Sequence, residues 1–182
     1  MNLRSYLTIA MLLCCACIAV AQQDDTIARF PFDGNTMDAT GAVGVAEGEA
    51  QFAEGRNGQA LDPQWKPLAV ANRPELTLSP GLTIDCWVYF DRDPTGYQQI
   101  VIKDKEYQLR VDSDGEGGRI VFFTYLGGWE PRVGKVVPKV DTWYHLVASW
   151  TGTEVSLEVN GEKASTARTG TVTPTENPLL IG

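Results

Sequence analysis

Leu82-Thr83-Ile84-Asp85-Cys86-Trp87-Val88-Tyr89-Phe90 is the stretch that decides the fold. Ile84, Cys86, Val88 and Phe90 alternate with Thr83, Asp85, Trp87 and Tyr89, and a period of two sends the two sets to opposite faces of a strand. Outward from it the same alternation recurs: Tyr107, Leu109 and Val111; Ile120, Phe122 and Thr124; Tyr144, Leu146, Ala148 and Trp150. Val155, Leu157 and Val159 follow after a turn at Thr151-Gly152-Thr153. Ala28, Phe30 and Phe32 alternate ahead of Asp33-Gly34-Asn35, which predicts a strand and a turn near the start of the domain. Asn160-Gly161 is the strongest hairpin signal, because a two-residue turn needs residues that tolerate positive φ at both positions. No window of about 11 residues past the leader carries a helical stripe. The chain reads as all-β, an antiparallel two-sheet sandwich.

The chain has 182 residues, 43% hydrophobic and 21% charged, which excludes a disordered or fibrous protein. Fifteen Lys and Arg against 23 Asp and Glu give a net charge of −8, a balance that leaves no basic patch for nucleic acid. Met1 to Ala21 reads as a secretory signal peptide: Arg4, an apolar run from Leu7 to Val20, and the small-residue cleavage site Ala19-Val20-Ala21. The domain then spans residues 22–182, and its localisation is periplasmic or extracellular. Cys14, Cys15 and Cys17 go with the leader, which leaves Cys86 with no intramolecular disulfide partner. Lipidation at Cys17 is the competing reading; Ala16 fits it, and Cys14 stands where a Leu is usual. No later apolar run approaches the ~20 residues of a membrane span, and there is no internal repeat.

Gly58-Gln59-Ala60-Leu61, Leu82 to Tyr89, Trp143-Tyr144-His145-Leu146-Val147-Ala148 and Val155 to Gly161 come in an order and spacing that resembles the laminin G-like domains of the concanavalin A-like lectin and glucanase superfamily. Pro178-Leu179-Leu180-Ile181-Gly182 resembles the strand that comes late in such domains. The resemblance runs from Ala28 to Gly182. It implies a jelly-roll sandwich, extracellular use, and binding of glycan or protein, often with a rim calcium. Members of that family continue into a closing strand with an acidic pair, so the expectation is a domain truncated at its C-terminus that lacks this strand.

Asp112-Ser113-Asp114-Gly115-Glu116-Gly117 has carboxylates at positions one, three and five and glycine at six, the first half of a calcium loop. Phe123 stands where the bidentate Glu belongs, so an acidic hairpin loop competes with a site at Asp112, Asp114 and Glu116. Asp33, Asn35 and Asp38 form a second acidic cluster, in which Asp38 suits an Asx turn. His145 is the one histidine, and Ser149 lies four residues on along the same strand, roughly 13 Å away, too far for a triad. Cys86 has the parity of a small buried hydrophobe. Glu154 and Glu158 are also separated by roughly 13 Å, whereas retaining glycosidases need carboxylates about 5 Å apart.

Sugars stack on exposed aromatic faces. Trp129 follows Gly127-Gly128 and precedes Pro131, Trp65 lies between Pro63 and Pro67, and Tyr97 follows Gly96. All three therefore fall in loops, where they are candidate ligand contacts; a lid over the core edge is the alternative. Trp87, Trp143 and Trp150 fall in strands, as core or sheet-face packing. The expected function is a secreted, non-catalytic module that binds a glycan or an extracellular protein through rim loops. The alternatives are a hydrolase of the same superfamily and a structural module of a longer extracellular protein.

Overall fold

A computed structural model describes residues 25–64, 66–94 and 96–182. The expected signal peptide and Trp65 lie outside the described residues. Within them the chain forms β1 (Ala46–Glu47), β2 (Gln51–Glu54), β3 (Gln59–Asp62), β4 (Leu68–Val70), β5 (Leu82–Phe90), β6 (Gln98–Lys103), β7 (Tyr107–Val111), β8 (Ile120–Thr124), β9 (Thr142–Trp150), β10 (Glu154–Val159), β11 (Glu162–Ala167) and β12 (Leu179–Ile181). Two short 3₁₀ turns, Pro74–Leu76 and Asp114–Glu116, are the helical elements among the described residues. The fold is all-β.

β5 and β9 pair antiparallel along their whole length, from Leu82 opposite Trp150 to Phe90 opposite Thr142. β10 folds back on β9, and β11 returns from β10 through the expected hairpin, where Asn160 (φ 51°) and Gly161 (φ 89°) both take the left-handed backbone that this turn demands. The resulting four-stranded sheet has the order β11-β10-β9-β5. The second sheet has six strands in the order β1-β4-β12-β6-β7-β8, and β2 and β3 form a separate hairpin. β12, the late Leu179–Ile181 strand, is interior to its sheet, between β4 and β6. Among the described residues no strand lies beside the outer edge of β5.

The core fills the space between the sheets. Leu109, Val111, Ile120 and Phe122 from one side meet Leu146, Ala148, Val155 and Leu157 from the other, each at most 1% exposed. Burying such a side chain contributes about 1.5–3 kcal/mol. Trp150 is also in the core, and its indole N–H donates to the Arg168 carbonyl at 2.9 Å. Among the described residues one ion pair is fully buried: Lys103 and Glu106, with Glu106 also accepting from the Leu78 N–H (2.7 Å) and Thr175 N–H (2.9 Å). Burial alone would raise the Glu106 carboxyl, but the Lys103 ammonium and these hydrogen bonds hold it below its ordinary range. The pair ties the segment before β12 and the turn before β5 to the β6–β7 hairpin.

The expected strand at Ala28, Phe30 and Phe32 is not formed. Phe32 has φ 56°, and the Phe30 and Phe32 rings stack at 5.8 Å against the edge of the core. Here the alternation reflects packing of an irregular segment, pinned by Asp38. The Asp38 carboxylate accepts from the backbone N–H groups of Arg29, Thr40 and Val43 and from the Thr40 hydroxyl. Burial would raise this carboxyl; the four hydrogen bonds outweigh it and leave the group far below the carboxylate range. The Asx turn is one part of that network.

β8 would be an open edge, but the chain covers it. Val133 exchanges both backbone hydrogen bonds with Phe122, and the Val136 carbonyl accepts from the Ile120 N–H. Residues 125–132, between β8 and this returning segment, are thereby held over the outward face of the six-stranded sheet.

Candidate functional site

Tyr107, Leu109 and Val111 of β7 and Ile120 and Phe122 of β8 face the core, which turns Gln108, Arg110, Val121 and Phe123 outward. Phe123 is nevertheless only 3% exposed. The Arg110 guanidinium lies 4.7 Å from its ring centroid and that of Arg132 lies 5.5 Å away. Trp129 meets the same ring edge-on at 6.1 Å and the Tyr125 ring at 5.0 Å. The residue that breaks the calcium-loop pattern is thus the aromatic floor of a site.

Asp112, just past β7 and 1% exposed, organises the charges above that floor. Its Oδ1 accepts from Arg110 Nε at 3.0 Å and its Oδ2 from Arg132 Nη1 at 2.8 Å. Glu116 reaches both arginines, 3.7 Å from Arg110 and 3.3 Å from Arg132, and Glu130 lies 3.3 Å from Arg132 Nε. Tyr97 hydrogen-bonds Glu116 and lies under the Arg110 guanidinium at 4.3 Å. The Glu116 carboxyl is held below its ordinary range, first by the Tyr97 hydrogen bond and then by Arg132 and Arg110, against some desolvation. Gln108, Arg110, Glu116, Phe123, Trp129, Glu130 and Arg132 line a cleft of about 220 Å³. A guanidinium has five N–H donors, so each arginine can hold its carboxylates and still offer donors to a ligand.

Four residues singled out separately in the sequence, Trp129, Tyr97, Asp112 and Glu116, therefore meet at one place. Asp114 stays exposed on the 3₁₀ turn and does not join them. Among the described residues no group of three or more His, Cys, Asp or Glu side chains is arranged to hold a metal ion; Asp112 and Glu116 face arginines instead. Sequence reasoning missed Arg110 and Arg132. The outward parity of Arg110 on β7 was readable, but its partnership with Arg132, two strands' length further along, depends on how the chain returns over β8.

It also missed Arg168, which holds the loop that carries Trp129. Arg168 follows β11, is 8% exposed, and donates to the carbonyls of Thr124 (2.7 Å), Gly128 and Glu130. Its own backbone is fixed by Thr153 and Trp150. Trp129 is half-buried in that loop, the wall of the cleft rather than a freely projecting side chain.

Two other residues take defined places. His145 has a carboxylate partner that the sequence did not reveal: its Nε2 lies 2.8 Å from Asp85 Oδ1, across the β5–β9 ladder. Ser149 bonds Ser156 at 2.9 Å, on the next strand. Cys86 faces inward, and burial, aided by the Asp85 charge, pushes its thiol up to about 12, which leaves it without thiolate character.

The chain belongs to the Concanavalin A-like lectin/glucanases superfamily, as the Laminin_G_3 family model matches residues 66–182; the cleft lies within the matched part. Among solved structures the chain is similar to domain 4 of AbnA, a GH43 extracellular arabinanase from Geobacillus stearothermophilus, in complex with arabinotriose. That likeness has a TM-score of 0.62 at 17% identity and covers 86% of this chain and 82% of that one, which shows a shared fold. Carbohydrate binding module CBM66 from Bacillus subtilis gives a TM-score of 0.44 at 12% identity, over 73% of this chain and 84% of that one. No curated protein matches the sequence. No helix among the described residues is long and apolar enough to cross a membrane.

Proposed function

We propose that the protein is an exported, non-catalytic module that binds a neutral glycan in the cleft over β7 and β8. The observation that carries this reading is the Arg110–Asp112–Arg132–Glu116 lattice set beside the Trp129 ring. It is a fixed array of donors and acceptors next to an aromatic wall, the combination that fits the hydroxyls and the C–H face of a sugar ring. Each arginine is already balanced by carboxylates, so the site suits an uncharged ligand better than an anionic one. The cleft is smaller than the roughly 300–1,000 Å³ of sites for drug-sized ligands, which favours one or two sugar rings over a long chain segment. The arabinotriose held by domain 4 of AbnA supports the same class of ligand.

A hydrolase is the second reading, favoured by two carboxylates, Glu116 and Glu130, at one cleft. Glycosidic cleavage needs a carboxylic acid with a raised pKa to protonate the leaving oxygen. Glu116 is shifted the other way, which argues for a charged hydrogen-bond acceptor. Titration calorimetry with arabinotriose and other neutral oligosaccharides tests the reading. Binding that disappears in Arg132→Ala, with no reducing sugar released on long incubation, supports it; release of reducing sugar that Glu116→Gln abolishes would replace it with the hydrolase.

A further inference from the structure

A second cluster lies across the sandwich from the cleft, on the outward face of β5 and β9. Trp87 stands opposite His145 and Tyr89 opposite Trp143 in the ladder. The Trp87 and His145 rings stack at 4.8 Å and 14°, and Tyr89 and Trp143 meet at 5.2 Å and 42°. Trp87 is 41% and Tyr89 42% exposed, in contrast to the covered Phe123 of the cleft.

The molecule itself shows what these ring faces accept. The guanidinium of Arg56, from the turn between β2 and β3, lies 3.8 Å from the Trp87 ring centroid. The surrounding charge points the same way. Asp85, two residues before Trp87, is held by the ring of His145, and Asp141 accepts the Tyr89 hydroxyl at 3.1 Å. Among the described residues neither carboxylate has a lysine or arginine within ion-pair distance. The Tyr89 phenol is pushed up, first by its hydrogen bond to Asp141 and then by desolvation and the Asp141 charge; the neighbouring Asp91 is balanced by Arg92. The whole chain, at −8, attracts cations at longer range.

We propose that this corner docks an arginine-bearing basic segment of a partner protein, with guanidinium groups stacked on Trp143 and Tyr89, and on Trp87 in place of Arg56, and their charge taken by Asp85 and Asp141. A guanidinium is planar and weakly hydrated, so it stacks on a ring where a lysine ammonium stays in water. The carboxylates at the two ends of the aromatic row fix the register and raise the association rate. The proposal is independent of the cleft and of what the cleft binds.

A fluorescein-labelled hexa-arginine peptide, titrated against the full chain at about 0.15 M salt and read by anisotropy, tests it. Trp143→Ala and Asp141→Asn each weaken binding by about fivefold or more. Trp143→Phe recovers most of the loss, and thermal unfolding confirms that the variants are folded. Arg56→Ala, which removes the internal occupant of Trp87, strengthens binding at least about twofold. Glu47→Gln removes one negative charge from the exposed face of β1, in the six-stranded sheet across the sandwich from the rings, and leaves binding unchanged. Equal affinity of wild type and Trp143→Ala, or of hexa-arginine and hexa-lysine, would reduce the interaction to net charge and overturn the proposal. Loss of arabinotriose binding in Trp143→Ala with hexa-arginine binding intact would make the corner a glycan surface, and would overturn it as well.

Discussion

Phe123 and Trp87 are both aromatic residues on the outward faces of their strands, yet Phe123 is 3% exposed and Trp87 41%. The difference comes from the chain beyond each strand. After β8 the backbone turns back over the sheet, brings Trp129 and Arg132 onto Phe123, and is tied down by Arg168. Beside β5 no such return occurs among the described residues, so Trp87 and Tyr89 meet side chains of their own sheet and the tip of the β2–β3 hairpin. The charges follow the same division. In the cleft the central carboxylate is buried and shared between two arginines; at the corner the carboxylates are held by a histidine and a tyrosine hydroxyl. One region is a preorganised pocket, the other an open, electronegative surface.

Replacing the carboxylate in each region is the largest test of that contrast. Asp112→Ala leaves Arg110 and Arg132 facing each other with only the more distant Glu116 shared between them, and we expect a stability loss of about 2–4 kcal/mol in urea unfolding, below the full figure for a completely buried pair because both arginines reach solvent. Asp141→Asn at the corner, which keeps a side chain that tolerates the left-handed backbone there (φ 54°), should cost less than about 0.5 kcal/mol. Equal losses would mean that the two regions are not built differently.

Next in size is the aromatic wall. Trp129→Ala should weaken oligosaccharide binding by about 2 kcal/mol, roughly 30-fold in Kd by calorimetry, while Trp143→Ala leaves it unchanged. A large fall in Tm with unaltered binding would identify Trp129 as a lid over the sheet. Arg168→Lys keeps the charge but cannot span three carbonyls, and the expected result is about a tenfold weaker Kd, from a loop that is no longer fixed.

Acid separates the regions more gently. Glu116, Glu106 and Asp38 all have depressed carboxyls, so their contributions to stability and to the cleft are complete above the ordinary carboxylate range. They are lost as pH falls below about 4 toward the depressed values, and chemical unfolding followed between about pH 6 and 2 should show stability falling only in that window. Calcium is the smallest expected effect. With Asp112 and Glu116 bound to arginines, millimolar calcium should leave Tm unmoved; a rise that EDTA reverses would show that the ion displaces the arginines.

Strands with strict alternation were legible because a period of two has one structural meaning: β5, β7, β9 and β10 lie where Ile84, Leu109, Leu146 and Leu157 place them. Asn160-Gly161 was equally plain, since few residues accept its backbone. Phe30 and Phe32 show the limit, as alternation on an irregular segment looks the same in sequence as alternation in a ladder. The cleft was half legible. Gly127-Gly128 and Pro131 marked the loop of Trp129, and the acidic run marked Asp112 and Glu116. Their convergence depends on Arg132 and Arg168 crossing between distant segments, which no local pattern encodes.

The central claim, that the ligand enters the cleft over β7 and β8, is tested most directly by following the indole N–H signals of the five tryptophans by NMR during titration with neutral oligosaccharides, arabinotriose first. The expected result is a saturable shift of the Trp129 signal with those of Trp87, Trp143 and Trp150 unmoved. A shift at Trp87 or Trp143 with Trp129 silent would place the ligand on the opposite sheet and contradict the account.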